Sequence, residues 1–269
     1  MPIAAKTRAT KSTAPAHLRK EGLAFLRALV RANKSDPVEA RAWFLENKAT
    51  WEAELKEPML AIIRRVTEAM LDFAPEHVRP AEKSFFRIYR DTRFSNDKRP
   101  YKEHVAAWWS HRAMEKTSGA GFYFHVSPRE VTVAAGAYMP EKEQLAAIRH
   151  WLVEHHAEFR GQLEKPAVRA AFREFEGSAL TRAPKGFPVE LDGRPHPALD
   201  LIRCRQWGLA ATLPVEAALE AGFADELVRH FRLAAPLIAA LNTPILESLE
   251  PRGPMVFGFG KPARGNKTR

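Results

Sequence analysis

The chain has 269 residues, 45% of them hydrophobic and 28% charged, which is enough material for a substantial core in one large domain or two small ones. Its formal net charge of +10 sits in the ends: removing five basic residues from each of 1–20 and 252–269 takes the 42 Lys and Arg down to 32, matching the 32 Asp and Glu. One cysteine, Cys204, excludes an internal disulfide framework and a multi-cysteine zinc site, and no apolar run reaches the roughly 18 residues that a membrane helix needs.

Residues 1–16 are Ala, Thr, Lys and Pro without periodicity and are expected to form a disordered basic tail. They contain no apolar signal core, a transit peptide stays open on composition, and cytoplasm is the expected location. Helical spacing begins near His17 with Leu23, Leu26 and Val30. Asp36-Pro37 predicts a second helix start, with Asp at the N-cap and Pro at the first helical position. Pro58 opens a third, whose apolar face is Met59, Ile62, Ile63, Val66, Met70 and Leu71. Pro75 and Pro80 bracket the entry to a central stretch, Phe85 to Lys102, predicted to begin as a strand and end as a charged loop.

Beyond it, 104–110 is read as a strand, and 121–126 with 130–139 as a hairpin rich in Val, Tyr and Phe. A helix follows Pro140, short helical pieces cover 158–173, and 182–197 is loop. Residues 203–212 return as a strand and 223–249 are helical. Helices, then hairpin-connected strands, then helices define an α+β fold with a mainly antiparallel central sheet between N-terminal and C-terminal helices. The expected organisation is a single domain over 17–250, with basic tails at 1–16 and 251–269.

The central stretch carries the candidate chemistry. Alternation along a strand puts Phe86, Ile88, Arg90, Thr92 and Phe94 on a core face, and Phe85, Arg87, Tyr89, Asp91 and Arg93 on the other. Arg87 and Arg93, with Tyr89, suit an anion, because a guanidinium fork binds carboxylate or phosphate through two parallel bonds. Lys98 and Lys102 would close the loop over it. Arg90, on the core face, needs a carboxylate and is expected in a structural ion pair. On the neighbouring hairpin, Tyr123 and His125 share a face, so Tyr123 joins the ligand-binding set; His125 or Asp91 would move protons. The opposing reading is a salt-bridge lock that holds the loop to the body. No metal site is expected: His150, Glu154, His155 and His156 lack the spacing of a zinc protease. No cofactor motif stands out; Gly258 to Lys261 lacks the spacing of a phosphate loop.

Phe86-Arg87-Ile88-Tyr89-Arg90-Asp91-Thr92-Arg93-Phe94-Ser95, then Asp97-Lys98 and Pro100-Tyr101-Lys102, resemble the uncharacterised family filed as domain of unknown function 2461. Trp43-Phe44 with Asn47-Lys48, Gly136 with Tyr138-Met139-Pro140, and Arg182 with Pro184-Lys185-Gly186-Phe187 extend the likeness over roughly 22–243. Ala135 and Ala137 stand where the family tends to have glycine, and Arg203 and Arg205 where it tends to have lysine. The resemblance implies no activity.

Two functions follow from the residues. The first is an anion-binding pocket on a sheet face, serving binding alone or an enzyme acting on a phosphorylated or carboxylated small molecule. The second is a binding module for nucleic acid or an acidic protein, using the Arg/Lys cluster with the basic tails, which would attract polyanions non-specifically. A scaffolding role stands as a third.

Overall fold

The computed structural model describes residues 16–114 and 118–249. The expected basic tails, 1–16 and 251–269, lie outside these residues apart from Ala16. Three N-terminal segments form the first helical layer: α1 (Lys20–Ala32), α2 (Pro37–Glu46) and α3 (Lys48–Trp51), which runs through a π-helical stretch, Glu52–Lys56, into α4 (Glu57–Met70). Asp36 caps α2 as the sequence implies, its Oδ1 accepting from the backbone N–H of Val38 at 2.8 Å. Helix α4 buries Met59, Ile62, Ile63, Val66 and Met70 of the stripe read from its spacing, while Leu71, just past the helix end, is 58% exposed rather than part of that face. The short α5 (Ala81–Ser84) leads into the central stretch.

Strands β1 (Val105–Ser110), β2 (Ala120–Val126) and β3 (Glu130–Ala137) follow, then α6 (Lys142–Leu163), α7 (Pro166–Ala171), β4 (Glu174–Glu176) and a two-residue hairpin of β5 (Glu190–Leu191) with β6 (Arg194–Pro195). Then come α8 (Leu199–Arg203), β7 (Trp207–Pro214) and α9 (Phe223–Leu249). The main sheet has the order β1-β2-β3-β7-β4, with every pair antiparallel. The protein is therefore α+β, with N-terminal helices, a central antiparallel sheet and a long C-terminal helix. No helix among the described residues is long and apolar enough to cross a membrane.

The core lies on one side of this sheet. Trp109, Phe122 and Phe124 point to α9, where Phe231 meets the first two rings at 5.5 and 5.3 Å and Phe223 meets the third at 6.0 Å. Val131 and Val133 continue the buried row in β3. Asn242 of α9 pins the start of β2, accepting from Ala120 N at 2.8 Å and donating to Ala120 O at 3.0 Å. Those two bonds satisfy backbone groups that would otherwise be buried without partners.

Three expectations need correction. Residues 85–94 are not a continuous strand. Residues 85–90 form an irregular arm against 100–107, held by isolated bridges Phe85↔Ala107 and Tyr89↔Tyr101. Phe86 N donates to Ala106 O, Lys102 N to Ile88 O and Arg90 N to Pro100 O. Pro100 has no N–H to return, which breaks the ladder at that rung. Strict alternation is lost with it: Phe85 stacks on Trp51 at 6.3 Å, Phe86 turns to Tyr123 at 6.4 Å, Ile88 is buried, and Phe94 is 95% exposed rather than core-facing. Secondly, residues up to Leu163 continue α6 past a single non-helical residue, His155, in place of separate short pieces. Thirdly, the region read as loop after 182 contains the β5–β6 hairpin.

Candidate functional site

The sheet register decides what the other face presents. Side chains two residues apart share a face, and paired residues on adjacent strands stand side by side. Trp108, Tyr123, Ala134 and Ala210 form one rung; His125 and Thr132 form the next; Gly121, Gly136, Gly208 and Glu176 form the rung on the opposite side of the first. Between aromatic residues on β1 and β2 and small ones on β3 and β7, this face is a groove of about 630 Å³. Phe86, Lys102 and His104 of the arm close one end, and Tyr138, Met139, Glu176 and Gln206 border the other.

Glycine makes room for the aromatic wall. A Cβ on Gly121 would lie 2.4 Å from Trp109 O and 2.8 Å from Cζ2 of Trp108, so the indole occupies the space above a residue without a side chain. Across β3 and β7, Ala134, Gly136, Gly208 and Ala210 leave the floor bare. Lys102 enters because the arm doubles back at residue 100; its Nζ lies 4.9 Å from the centre of the Phe86 ring.

Polar groups in the groove sit in a poorly solvated setting. Burial lowers the His104 pKa to about 4, with smaller contributions in the same direction from His125 and Lys102. Burial also lowers that of His125, against the carboxylate of Glu130. The two rings are 4.9 Å apart, so two imidazolium charges would repel at close range. Burial, and secondarily Tyr138, raises the Tyr123 phenol to about 12. At neutral pH the site thus holds neutral imidazoles and a protonated phenol. His125 Nδ1 and Trp108 Nε1 are both buried without a hydrogen-bond partner among the described residues. Such orphans are uncommon in folded proteins.

The structure sorts the sequence candidates into two places. Tyr123, His125 and Lys102 line the groove together. Arg87, Tyr89, Asp91, Arg93 and Lys98 do not line it. Tyr89 packs instead on Phe44 at 6.0 Å and Tyr101 at 5.4 Å, towards the N-terminal helices. Arg93 reaches both oxygens of Asp91, at 3.0 and 2.7 Å, and its side chain is 76% exposed. Lys98 donates to Thr92 O at 3.0 Å. Arg90 pairs with Asp97 at 2.6 Å, partly exposed at the arm rather than facing the core. Asp97 also takes Arg99, whose Nη1 reaches Glu103.

Phe86 was expected on the core face, and His104, Trp108, Glu176 and Gln206 were not singled out from the sequence. Alternation along 104–110 puts His104 and Trp108 on one face, and that was the available signal; the register joining them to Tyr123 and His125 was not. Glu176 lies on a three-residue strand that gives no pattern. Among the described residues, no group of three or more His, Cys, Asp or Glu could hold a metal ion.

An antiparallel sheet backed by helices on one face and grooved on the other defines an α+β protein with a candidate small-molecule site. Within that class the chain belongs to the family described as conserved hypothetical protein (DUF2461), whose family model matches residues 21–239. No curated protein and no solved structure matches it.

Proposed function

We propose that the groove binds a small molecule with an apolar body and one anionic group, a carboxylate or a phosphate. The observation that carries this reading is the pair of buried ring nitrogens, Trp108 Nε1 and His125 Nδ1, without partners among the described residues, in a groove that also holds Lys102 and the Tyr123 phenol. An indole N–H, an ammonium and a protonated phenol are donors, and a neutral imidazole supplies a fourth when Nδ1 carries its proton. Donors gathered beside aromatic rings suit an acceptor on an apolar frame. If the bound molecule is turned over, His125 is the proton acceptor, since burial keeps it neutral at pH 7 and Tyr123 can donate beside it.

The arm is proposed to act as a clasp for this site. Asp91 and Asp97 engage Arg93, Arg90 and Arg99 within the tip, which fixes the turn that brings Lys102 back to the groove.

Calorimetric titration with naphthoate, naphthyl phosphate and the neutral naphthylmethanol tests the reading. The two anions should bind and the alcohol should not. Trp108→Phe, which deletes one donor, should weaken the anions about fivefold, near 1 kcal/mol. Equal binding of the alcohol would sink the proposal.

A further inference from the structure

The groove carries opposite charges at its two ends. Lys102 stands on the arm beside β1, and Glu176 on β4, which are opposite edges of the five-stranded sheet. Four strand spacings of about 4.8 Å separate those edges by roughly 19 Å, and the side chains reach inward from each. Between them the floor is Ala134, Gly136, Gly208 and Ala210, with no charged side chain among these four. The Glu176 carboxylate makes no hydrogen bond or ion pair among the described residues, although Gln206 lies at the same end of the groove.

The geometry points to an elongated zwitterionic ligand: an anionic group at the Lys102 end, an apolar middle over the small residues, and an ammonium group at Glu176. This rests on the reading of the groove as a small-molecule site and adds a requirement at its far end. A carboxylate there disfavours a second anionic group and discriminates between a simple fatty or aromatic acid and an amino acid of the same length. The buried Trp108 places a ring nitrogen, without a partner among the described residues, within the wall between the two ends, a second feature that a ligand could complete.

Binding of ω-aminododecanoate, dodecanoate and dodecanedioate to the full chain, below the concentrations at which they self-associate, tests this. Wild type should bind the amino acid, and Glu176→Gln should weaken that about threefold, the effect of one exposed ion pair, while leaving dodecanoate unchanged. Glu176→Lys should reverse the preference towards dodecanedioate. Glu176 is exposed, so both variants should keep the wild-type Tm. If dodecanoate binds and neither substitution separates the three probes, the two-ended ligand is overturned and the anion-binding groove stands. If none of the three binds, and naphthoate also fails, both fall.

Discussion

Arg90 Nη1 lies 2.6 Å from Asp97 Oδ2, and Arg99 Nη2 reaches the same oxygen at 2.6 Å. One carboxylate thus ties the descending side of the arm to its returning side. Bonds from Arg99 and then Arg90 hold the Asp97 carboxyl well below the usual carboxylate range, and Arg93 holds Asp91 at about 2. A depressed folded-state pKa contributes stability above the ordinary value of 3.8, and this is lost as pH falls through the folded value. The tip should therefore hold at neutral pH and loosen below about pH 4.

Asp97→Asn should reproduce the acid state at pH 7. With Arg90 and Arg99 released from their shared charge, trypsin should nick the tip after Arg90, Arg93 or Lys98 several-fold faster than in wild type, Arg99 being shielded by Pro100. Both ion pairs are partly exposed, so the global Tm should fall by only a few degrees. Unchanged nicking would mean that backbone pairing alone holds the arm.

A second pH dependence comes from buried imidazoles and has a higher window. His77 is fully buried, with Nδ1 3.1 Å from Trp109 O of β1 and Nε2 3.5 Å from Asn242 Nδ2 of α9, while His111 and the Glu76 carboxylate approach from the flanking loops. Burial lowers its pKa to about 4 despite the Trp109 carbonyl and Glu76, and His104 falls to about 4 for the same principal reason. The unfolded chain has both near 6.5 and so binds more protons between about 6.5 and 4. Stability should be highest above that window and decline as pH falls through it. Denaturant melts across this range should show the slope, and His104→Phe should remove up to about one proton of it. An unchanged slope would show that His104 accepts its proton as readily folded as unfolded.

The fold was legible where one signal decides the structure. The three- and four-residue spacing of Met59, Ile62, Ile63, Val66 and Met70 fixes the buried stripe of α4, and Asp36-Pro37 fixes the start of α2. Tyr123 and His125 share a face because β2 is a true strand, where alternation is enforced by pairing on both sides. The same rule applied to Phe85–Phe94 misplaced Phe86 and Phe94, since Pro100 interrupts the ladder and the arm is free to turn. Charge density was a poor guide to location. The arginines of the arm find Asp91 and Asp97 within a few residues, while the groove is built from aromatic, histidine and glycine positions that only the register brings together. Glu176 depends on β4 pairing with β7, a contact between residues more than thirty positions apart that local sequence does not encode.

The last prediction sets two glycines against each other. A Cβ at Gly136 would sit 2.2 Å from Trp207 O and 2.5 Å from the Cα of Gly208, both backbone atoms of the adjacent strand β7. Neither can rotate away, so Gly136→Ala must push β3 and β7 apart in the middle of the groove floor. That overpacking should cost about 3 kcal/mol and abolish naphthoate binding with it. Gly161 is the opposite case. It lies within α6, and an added Cβ would meet nothing within 4 Å. Gly161→Ala removes backbone freedom from the unfolded chain without a clash, so it should raise stability by about 0.5–1 kcal/mol and leave binding untouched. Urea denaturation of both variants, with titration of whichever remains folded, gives the comparison. A neutral Gly136→Ala would mean that the two strands are not held as closely as the register places them, and the bare floor on which the groove depends would need another explanation.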